Sequence, residues 1–111
     1  MITNFKIFEE VNEFELEIGD YVIAYPIFAV AEIGKLLNKE IGQLIKIIDK
    51  SDFIYEIKYF LNSEELKFLH RQGFDTESNS VSVGMSLVEI KHWSKNKEDL
   101  EQILTANKYN L

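Results

Sequence analysis

Alternating apolar and acidic positions near the start of the chain predict a β-strand with one buried face. Between residues 13 and 18 the alternation places on one face Phe14, Leu16 and Ile18, and on the other Glu13, Glu15 and Glu17. A period of two is the repeat of a strand, whose successive side chains point to opposite faces. Gly19 and Asp20 interrupt the pattern, and a more apolar strand is predicted from Tyr21 to Tyr25, where Pro26 ends it.

The middle of the chain predicts a helix or an ordered loop, followed by a β-hairpin. From Ile27 to Glu40 alanines and leucines favour a helix, whereas Gly34 costs a helix roughly 1 kcal/mol, so both alternatives stay open. Two strands are predicted next, Leu44 to Ile48 and Phe53 to Leu61, joined by the turn-forming residues 49–52. Alternation in the second strand places on one face Phe53, Tyr55, Ile57 and Tyr59, as a core requires.

A short helix and a polar loop are predicted after this hairpin. Ser63 is a favourable N-cap for a helical turn that continues to His70, with acidic residues in its first turn. Residues 71–80 are polar and turn-forming, and Phe74 is their one strong apolar anchor. We therefore expect a surface loop there, the kind of segment that often carries contacts.

The last part of the chain predicts strands and then a terminal helix. Residues 81–93 have the pattern of one or two strands, bent near Gly84. Residues 96–107 predict a helix that Asn96 caps. The buried side of this helix is expected to contain Leu100, Ile103, Leu104 and Ala106.

Together these elements predict one domain over residues 1–111 with a mainly β, α+β fold. The sheet is expected to be small, bent and antiparallel, or closed as an SH3-like barrel, with a C-terminal α-helix. The segments Ile18–Val22, Ile41–Ile45 and Phe53–Phe60 resemble the short glycine-containing and third-strand patterns of SH3-like, Tudor-like or KOW-like barrels. In its abundance of Ile, Lys, Asn and Glu, the chain is also similar to small proteins of AT-rich bacteria and their phages. The resemblance implies a fold and little about function.

Composition excludes several classes of protein. The 46% of hydrophobic residues indicates a globular fold, while a net charge of -7 and a single arginine, Arg71, argue against direct nucleic-acid binding. Because the chain has no cysteine, it has no disulfide, thiolate nucleophile or cysteine-based metal site. No apolar run reaches the ~20 residues of a membrane span. The N-terminus lacks the pattern of a secretory signal, so we expect a cytoplasmic protein without membrane contact.

No pattern of residues indicates catalysis, so we expect neither an enzyme nor a bound cofactor or metal. His70 and His92 have no suitable neighbour in the sequence, although a spatial pairing of the two stays open. The serines at 80, 82 and 86 lack the glycine-flanked turn of a nucleophile and are predicted to face outward from strands. The glycines are scattered, which argues against a phosphate-binding loop.

Acidic residues are concentrated at the start of the chain. The first 20 residues contain six acids and one lysine, a net charge of -5 out of the total of -7. Such a line of charge either protects an edge strand or contacts a partner. The candidates for an aromatic recognition platform are Tyr25, Tyr55, Tyr59, Phe74 and Trp93. The predicted partner-binding residues are Glu13, Glu15, Glu17, Asp20, Phe74 and Trp93.

Three hypotheses for function follow. In the preferred one the chain binds a basic protein that handles nucleic acid and inhibits it by electrostatic docking and occlusion, as phage anti-defence and toxin-immunity proteins do. The second is a nucleic-acid- or ribosome-associated barrel, as the KOW-like resemblance implies, with contacts from Lys91, Lys95 and Lys97. The third is a structural subunit that forms a homo-oligomer by pairing an exposed edge strand with another copy.

Overall fold

An antiparallel β-sheet is the frame of the protein. The structure is a computed structural model that describes residues 16–27 and 29–109. The strands are β1 (Tyr21–Ala24), β2 (Gly42–Asp49), β3 (Ile54–Phe60), β4 (Asp75–Thr76), β5 (Ser80–Ser86) and β6 (Ile90–Ser94). The helices are α1 (Ala31–Asn38), α2 (Ser63–Arg71) and α3 (Lys97–Tyr109), and a 3-10 turn at Leu87–Glu89 connects β5 to β6.

The sheet is open. Its strand order is β4-β5-β3-β2-β1-β6, and all neighbouring strands are antiparallel. Because β4 and β6 lie at opposite edges and do not pair with each other, the sheet does not close into a barrel. The predicted mainly β, α+β fold with an antiparallel sheet and a C-terminal helix is confirmed. Of the two predicted alternatives for the sheet, the structure has the open sheet and not the SH3-like barrel.

The predicted hairpin is formed by β2 and β3, and two irregularities interrupt its pairing. The register shifts between Leu44 and Lys46 and again between Ile47 and Asp49. Such shifts leave extra residues on one strand and bend it locally. Asp49 stabilises the connecting turn, because its Oδ1 accepts a hydrogen bond from the backbone N–H of Asp52 at 3.1 Å. This hydrogen bond is the main reason that the pKa of the Asp49 carboxyl is lowered.

The segment whose structure the sequence left open contains a helix. α1 includes Gly34 because the ring of Tyr25 packs against that position: a Cβ on Gly34 would lie 2.7 Å from Tyr25 Cε1. On the same side of α1, Ile33 and Leu37 are buried. Tertiary packing of this apolar side therefore outweighs the low helix propensity of glycine.

The N-cap of α2 is Asn62 and not the predicted Ser63. Asn62 Oδ1 accepts a hydrogen bond from the backbone N–H of Glu65 at 2.8 Å. In return, Glu65 Oε1 accepts one from the backbone N–H of Asn62 at 3.2 Å. This reciprocal arrangement is a capping box, which requires the glutamate three residues after the cap.

Two predictions for the chain after α2 differ from the structure. The predicted loop at residues 71–80 contains β4, in which Asp75 pairs with Ser82 and Thr76 with Val81. The bend expected near Gly84 occurs instead at the 3-10 turn, because β5 pairs with β3 without interruption as far as Ser86.

The main core lies on one face of the sheet. Its sheet residues are Val22, Ala24, Leu44, Tyr55, Ile57, Tyr59, Val81, Val83, Met85 and Ile90, and those of the helices are Ile33, Leu37, Leu66 and Leu69. Alternation in β3 predicted this buried face correctly except at Phe53. That residue ends the turn before β3 with a φ of 57° and is 46% exposed.

α3 covers the opposite face at the β1–β6 edge. Leu100 of α3 and Ile23 of β1 are buried, and His92 of β6 pairs with Ile23. Burial lowers the pKa of His92. Ile103 is partly buried, whereas Ala106, predicted on the buried side, is exposed. At about 100° per residue Ala106 lies ~120° around the helix from Leu100 and so beside the contact.

Gly42 and Gly84 provide a matched test of core packing. A Cβ on Gly42 would lie 2.5 Å from Ile57 Cγ2 and 2.8 Å from Tyr59 Cε1, whereas at Gly84 the nearest atom is Ile48 Cδ1 at 3.9 Å. We expect Gly42→Ala to lower the free energy of unfolding in urea by about 1–3 kcal/mol through overpacking. Gly84→Ala should leave it unchanged or raise it by up to about 1 kcal/mol. Equal losses for both variants would contradict this packing.

Tyr59 provides a second test, because its hydroxyl is buried and lacks a hydrogen-bond partner within residues 16–27 and 29–109. Burial also raises the pKa of this phenol. A buried, unsatisfied hydroxyl is unfavourable, so Tyr59→Phe should raise the free energy of unfolding by about 1 kcal/mol. Tyr55→Phe, on the same face of β3, is the control and should change it little. A loss of stability specific to Tyr59→Phe would show that the hydroxyl forms a bond.

Candidate protein-binding surface

The described end of the acidic segment is a turn and not the predicted strand. The backbone N–H of Asp20 donates to the carbonyl oxygen of Glu17 at 2.9 Å, which closes a turn before β1. Leu16 is buried while Ile18 is 62% exposed, so these two residues do not share the predicted buried face. The turn reverses the direction of the chain, and the alternation therefore does not continue through residues 16–20.

Lys95 pairs with both acidic residues of this turn. Its Nζ lies 2.7 Å from Glu17 Oε1 and 2.8 Å from Asp20 Oδ1. Both hydrogen bonds raise the pKa of Lys95, and the one to Asp20 has the larger effect. Asp20 is buried and also accepts a hydrogen bond from the backbone N–H of Glu17, so it anchors the turn from inside the protein. The side chain of Glu17 stays 61% exposed. Glu13 and Glu15 lie outside the described residues.

Phe74 and Trp93 lie near opposite edges of the sheet. Phe74 directly precedes β4, Trp93 lies in β6, and both are partly buried against the main core. They therefore do not form one aromatic platform. Of the other platform candidates, Tyr55 and Tyr59 are buried, and Tyr25 packs against α1.

The residues considered for catalysis are not brought together. His70 lies in α2 beside β4 and His92 lies in the opposite edge strand, so they do not pair. Ser80 was predicted to face outward, but it is 1% exposed and donates a hydrogen bond to Glu77 Oε1 at 3.2 Å. Within the described residues, no group of three or more side chains is placed to bind a metal ion.

Two of the three lysines proposed for nucleic-acid contact are engaged within the chain. Lys95 pairs with the acidic turn, and Lys91 Nζ donates to the carbonyl oxygen of Val88 at 3.4 Å. Lys97 is exposed at the start of α3. Nothing in this arrangement favours a nucleic-acid interface over a protein interface.

The face of β2 and β3 opposite the main core carries no helix in the part of the chain that the structure describes. We call it the uncovered sheet face, and it comprises Lys46, Ile48, Ile54, Glu56, Lys58 and Phe60. On this side α3 packs mainly against β1 and β6. The side chain of Ile48 extends across β3, since its Cδ1 lies 3.9 Å from the position of a Cβ on Gly84 of β5.

Two large apolar side chains are exposed on the uncovered sheet face, Phe60 at the end of β3 and Ile48 near the end of β2. Phe60 is 60% exposed and Ile48 is 50% exposed. Lys58 Nζ lies 5.5 Å from the centre of the Phe60 ring, within the range of a cation–π contact. Isolated exposed apolar residues are ordinary, but apolar residues grouped on one sheet face are typical of an interaction site.

Acidic side chains flank this face at both ends. Asp49 is the last residue of β2, and Asp52 lies in the turn between β2 and β3. Asp75 and Glu77 lie at the β4 edge, where Glu77 Oε1 is 3.8 Å from Lys58 Nζ. The surface thus combines two exposed apolar side chains with charged residues of both signs, Lys46, Glu56 and Lys58, and has acidic residues at its borders.

Sequence reasoning missed the uncovered sheet face because its residues alternate with those of the core. The sequence of β2 does indicate a second apolar face, because Ile45, Ile47 and Ile48 are spaced too closely to lie on one face of a strand. Such a run predicts apolar residues on both faces, but does not tell which face a helix covers.

The chain matches no protein-family model, no curated protein and no solved structure. Across residues 16–27 and 29–109, no helix is both long and apolar enough to cross a membrane.

We expect Asp20→Asn to destabilise the protein more than Glu17→Gln. The buried Asp20 carboxylate has two partners, so its neutralisation should lower the free energy of unfolding by about 1–3 kcal/mol. Glu17 is largely exposed, and an exposed ion pair stabilises a protein by at most about 1 kcal/mol. Urea denaturation of the two variants measures this difference, and an equal loss would show that Asp20 is not the anchor of the turn.

Proposed function

We propose that this chain is a small protein-binding module that binds a basic partner protein through its uncovered sheet face. The observation that supports the proposal most is the exposure of Phe60 and Ile48 together on a face without a helix over it in the described structure. Within this function, the first case to test is that the chain inhibits a nucleic-acid-handling protein by occlusion.

The exposed apolar side chains of this face are suited to supply affinity. In protein interfaces, binding energy is concentrated in a few large side chains that become fully buried, and aromatic residues are common among them. Phe60 has this character because most of its surface is in water in the free protein. The Nζ of its neighbour Lys58 lies 3.8 Å from Glu77 Oε1, which places an ion pair beside the Phe60 ring.

Charge is the basis for proposing a basic partner. The chain carries a net charge of -7, and acids flank both ends of the uncovered sheet face. Complementary charge accelerates association and makes it sensitive to salt. Since Asp20 is buried and Glu17 pairs with Lys95, the described residues of the acidic turn are less suited to this role than the rim of the face.

Binding is tested with purified basic nucleases at two salt concentrations, using Phe60→Ser and Ile48→Ser. We expect each variant to weaken binding at least about tenfold, because both side chains would be buried in the complex. Val88→Ser is the matched control, since Val88 is 63% exposed but lies in the 3-10 turn, away from the face. It should change the affinity less than about twofold.

Three results would contradict the proposal. One is equal binding by Phe60→Ser, Val88→Ser and the unaltered chain. Another is a loss of more than about 2 kcal/mol in stability for Phe60→Ser, because truncating an exposed residue normally costs about 0.5 kcal/mol or less; such a loss would mean that the chain itself fills this face. The third is a dimer, detected by sedimentation, that Phe60→Ser dissociates, because the occupant would then be a second copy.

A further inference from the structure

A cleft between α2 and β4 is chemically unlike the rest of this acidic protein. Its volume is about 400 Å³, within the range of pockets that bind small molecules. Leu66 of the main core also lines it, so the cleft is on the side of the sheet opposite the uncovered sheet face. The polar residues of its walls are Ser63, Lys67, His70 and Arg71 from α2, with Thr76, Glu77 and Ser78 across from them.

The basic residues of the cleft are aligned on one side of α2. Lys67, His70 and Arg71 are separated by three and four residues, the spacing that places helix side chains next to one another. Arg71 is the one arginine of the chain, whose net charge of -7 otherwise repels anions. Positive charge is therefore concentrated at this cleft, although the net charge of the protein is negative.

These cations are available to a ligand. Among the ion pairs of the described residues, none involves Lys67 or Arg71. His70 Nδ1 lies 3.4 Å from Thr76 Oγ1, a contact that joins the two walls of the cleft. Glu77 also lines the cleft, but its carboxylate lies 3.2 Å from Ser80 Oγ and 3.8 Å from Lys58 Nζ, neither of which belongs to the cleft.

Capping of the helix does not account for these side chains. Basic residues often occur in the last turn of a helix because they interact with its free carbonyl groups. In α2 the carbonyl oxygens of Phe68, Leu69 and His70 already accept hydrogen bonds from the backbone N–H groups of Gln72, Gly73 and Phe74. The side chains of Lys67 and Arg71 are thus not required as caps.

We propose that this cleft binds the phosphate group of a small phosphomonoester. A guanidinium such as that of Arg71 can donate two parallel hydrogen bonds to phosphate oxygens, and an ammonium such as that of Lys67 adds a compact positive charge. The hydroxyls of Ser63, Thr76 and Ser78 add neutral donors around the same space. The volume of the cleft exceeds that of a phosphate ion and leaves room for an attached sugar or nucleoside.

The proposal is tested by following backbone amide NMR signals during titration with inorganic phosphate, ribose 5-phosphate and adenosine 5′-monophosphate at constant ionic strength. We expect saturable shifts confined to residues that line the cleft. Arg71→Gln should weaken binding about tenfold or more, and Lys67→Gln by a smaller factor. Lys50→Gln is the matched control, because it removes the same charge at the β2–β3 turn, at the other end of the sheet, and should leave the affinity within about twofold.

Comparison of the three probes identifies the source of the phosphate. Tighter binding of an organic phosphate indicates that the cleft also contacts the sugar or base, and equal affinities indicate recognition of the phosphate alone. The proposal is wrong if adenosine or sodium chloride causes the same shifts, if the shifts map outside the cleft, or if both Arg71→Gln and Lys67→Gln bind as the unaltered chain does. Phe60→Ser should keep phosphate binding, so this proposal and the protein-binding proposal fail separately.

Discussion

Burial of one face of β3 is the interaction on which the remaining structure depends. β3 is paired on both sides, with β2 and β5, and its residues Tyr55, Ile57 and Tyr59 are almost fully buried. Complete burial of a side chain such as Ile57 contributes about 1.5–3 kcal/mol, so the orientation of this strand is strongly determined. Since side chains alternate along a strand, the residues between them must face the other side of the sheet.

The helices cover the two faces of the sheet unequally and so leave two surfaces of different character. α1 and α2 cover the main core, and α3 covers the opposite face mainly at the β1–β6 edge. The outward residues of β2 and β3 are thereby left exposed in the described structure, with Phe60 and Ile48 among them. On the helix side, the path of the chain from α2 into β4 leaves the cleft that contains Lys67 and Arg71. The two surfaces lie on opposite sides of the sheet, and Glu77 borders both of them.

Charge along the sequence is a poor guide to where a partner binds. The acidic bias of the first 20 residues suggested an exposed negative face, yet Asp20 is buried and shares Lys95 with Glu17. A pairing of this kind uses charge to hold a turn in place and reduces the field available to a partner. The basic residues near the end of α2 show the reverse case, because a minority charge is grouped where the fold leaves space.

Local patterns in the sequence were sufficient to predict the hairpin of β2 and β3, the buried face of β3 and the terminal helix. Each depends on a period of two or 3.6 residues, or on turn-forming residues, and these follow from backbone geometry within a short segment. Only the tertiary structure decided that the sheet stays open, that Lys95 meets the turn 75 residues before it, and that Thr76 lies across a cleft from Arg71. Those outcomes depend on strand order and on the path of each connection, and many such arrangements bury the same apolar positions equally well.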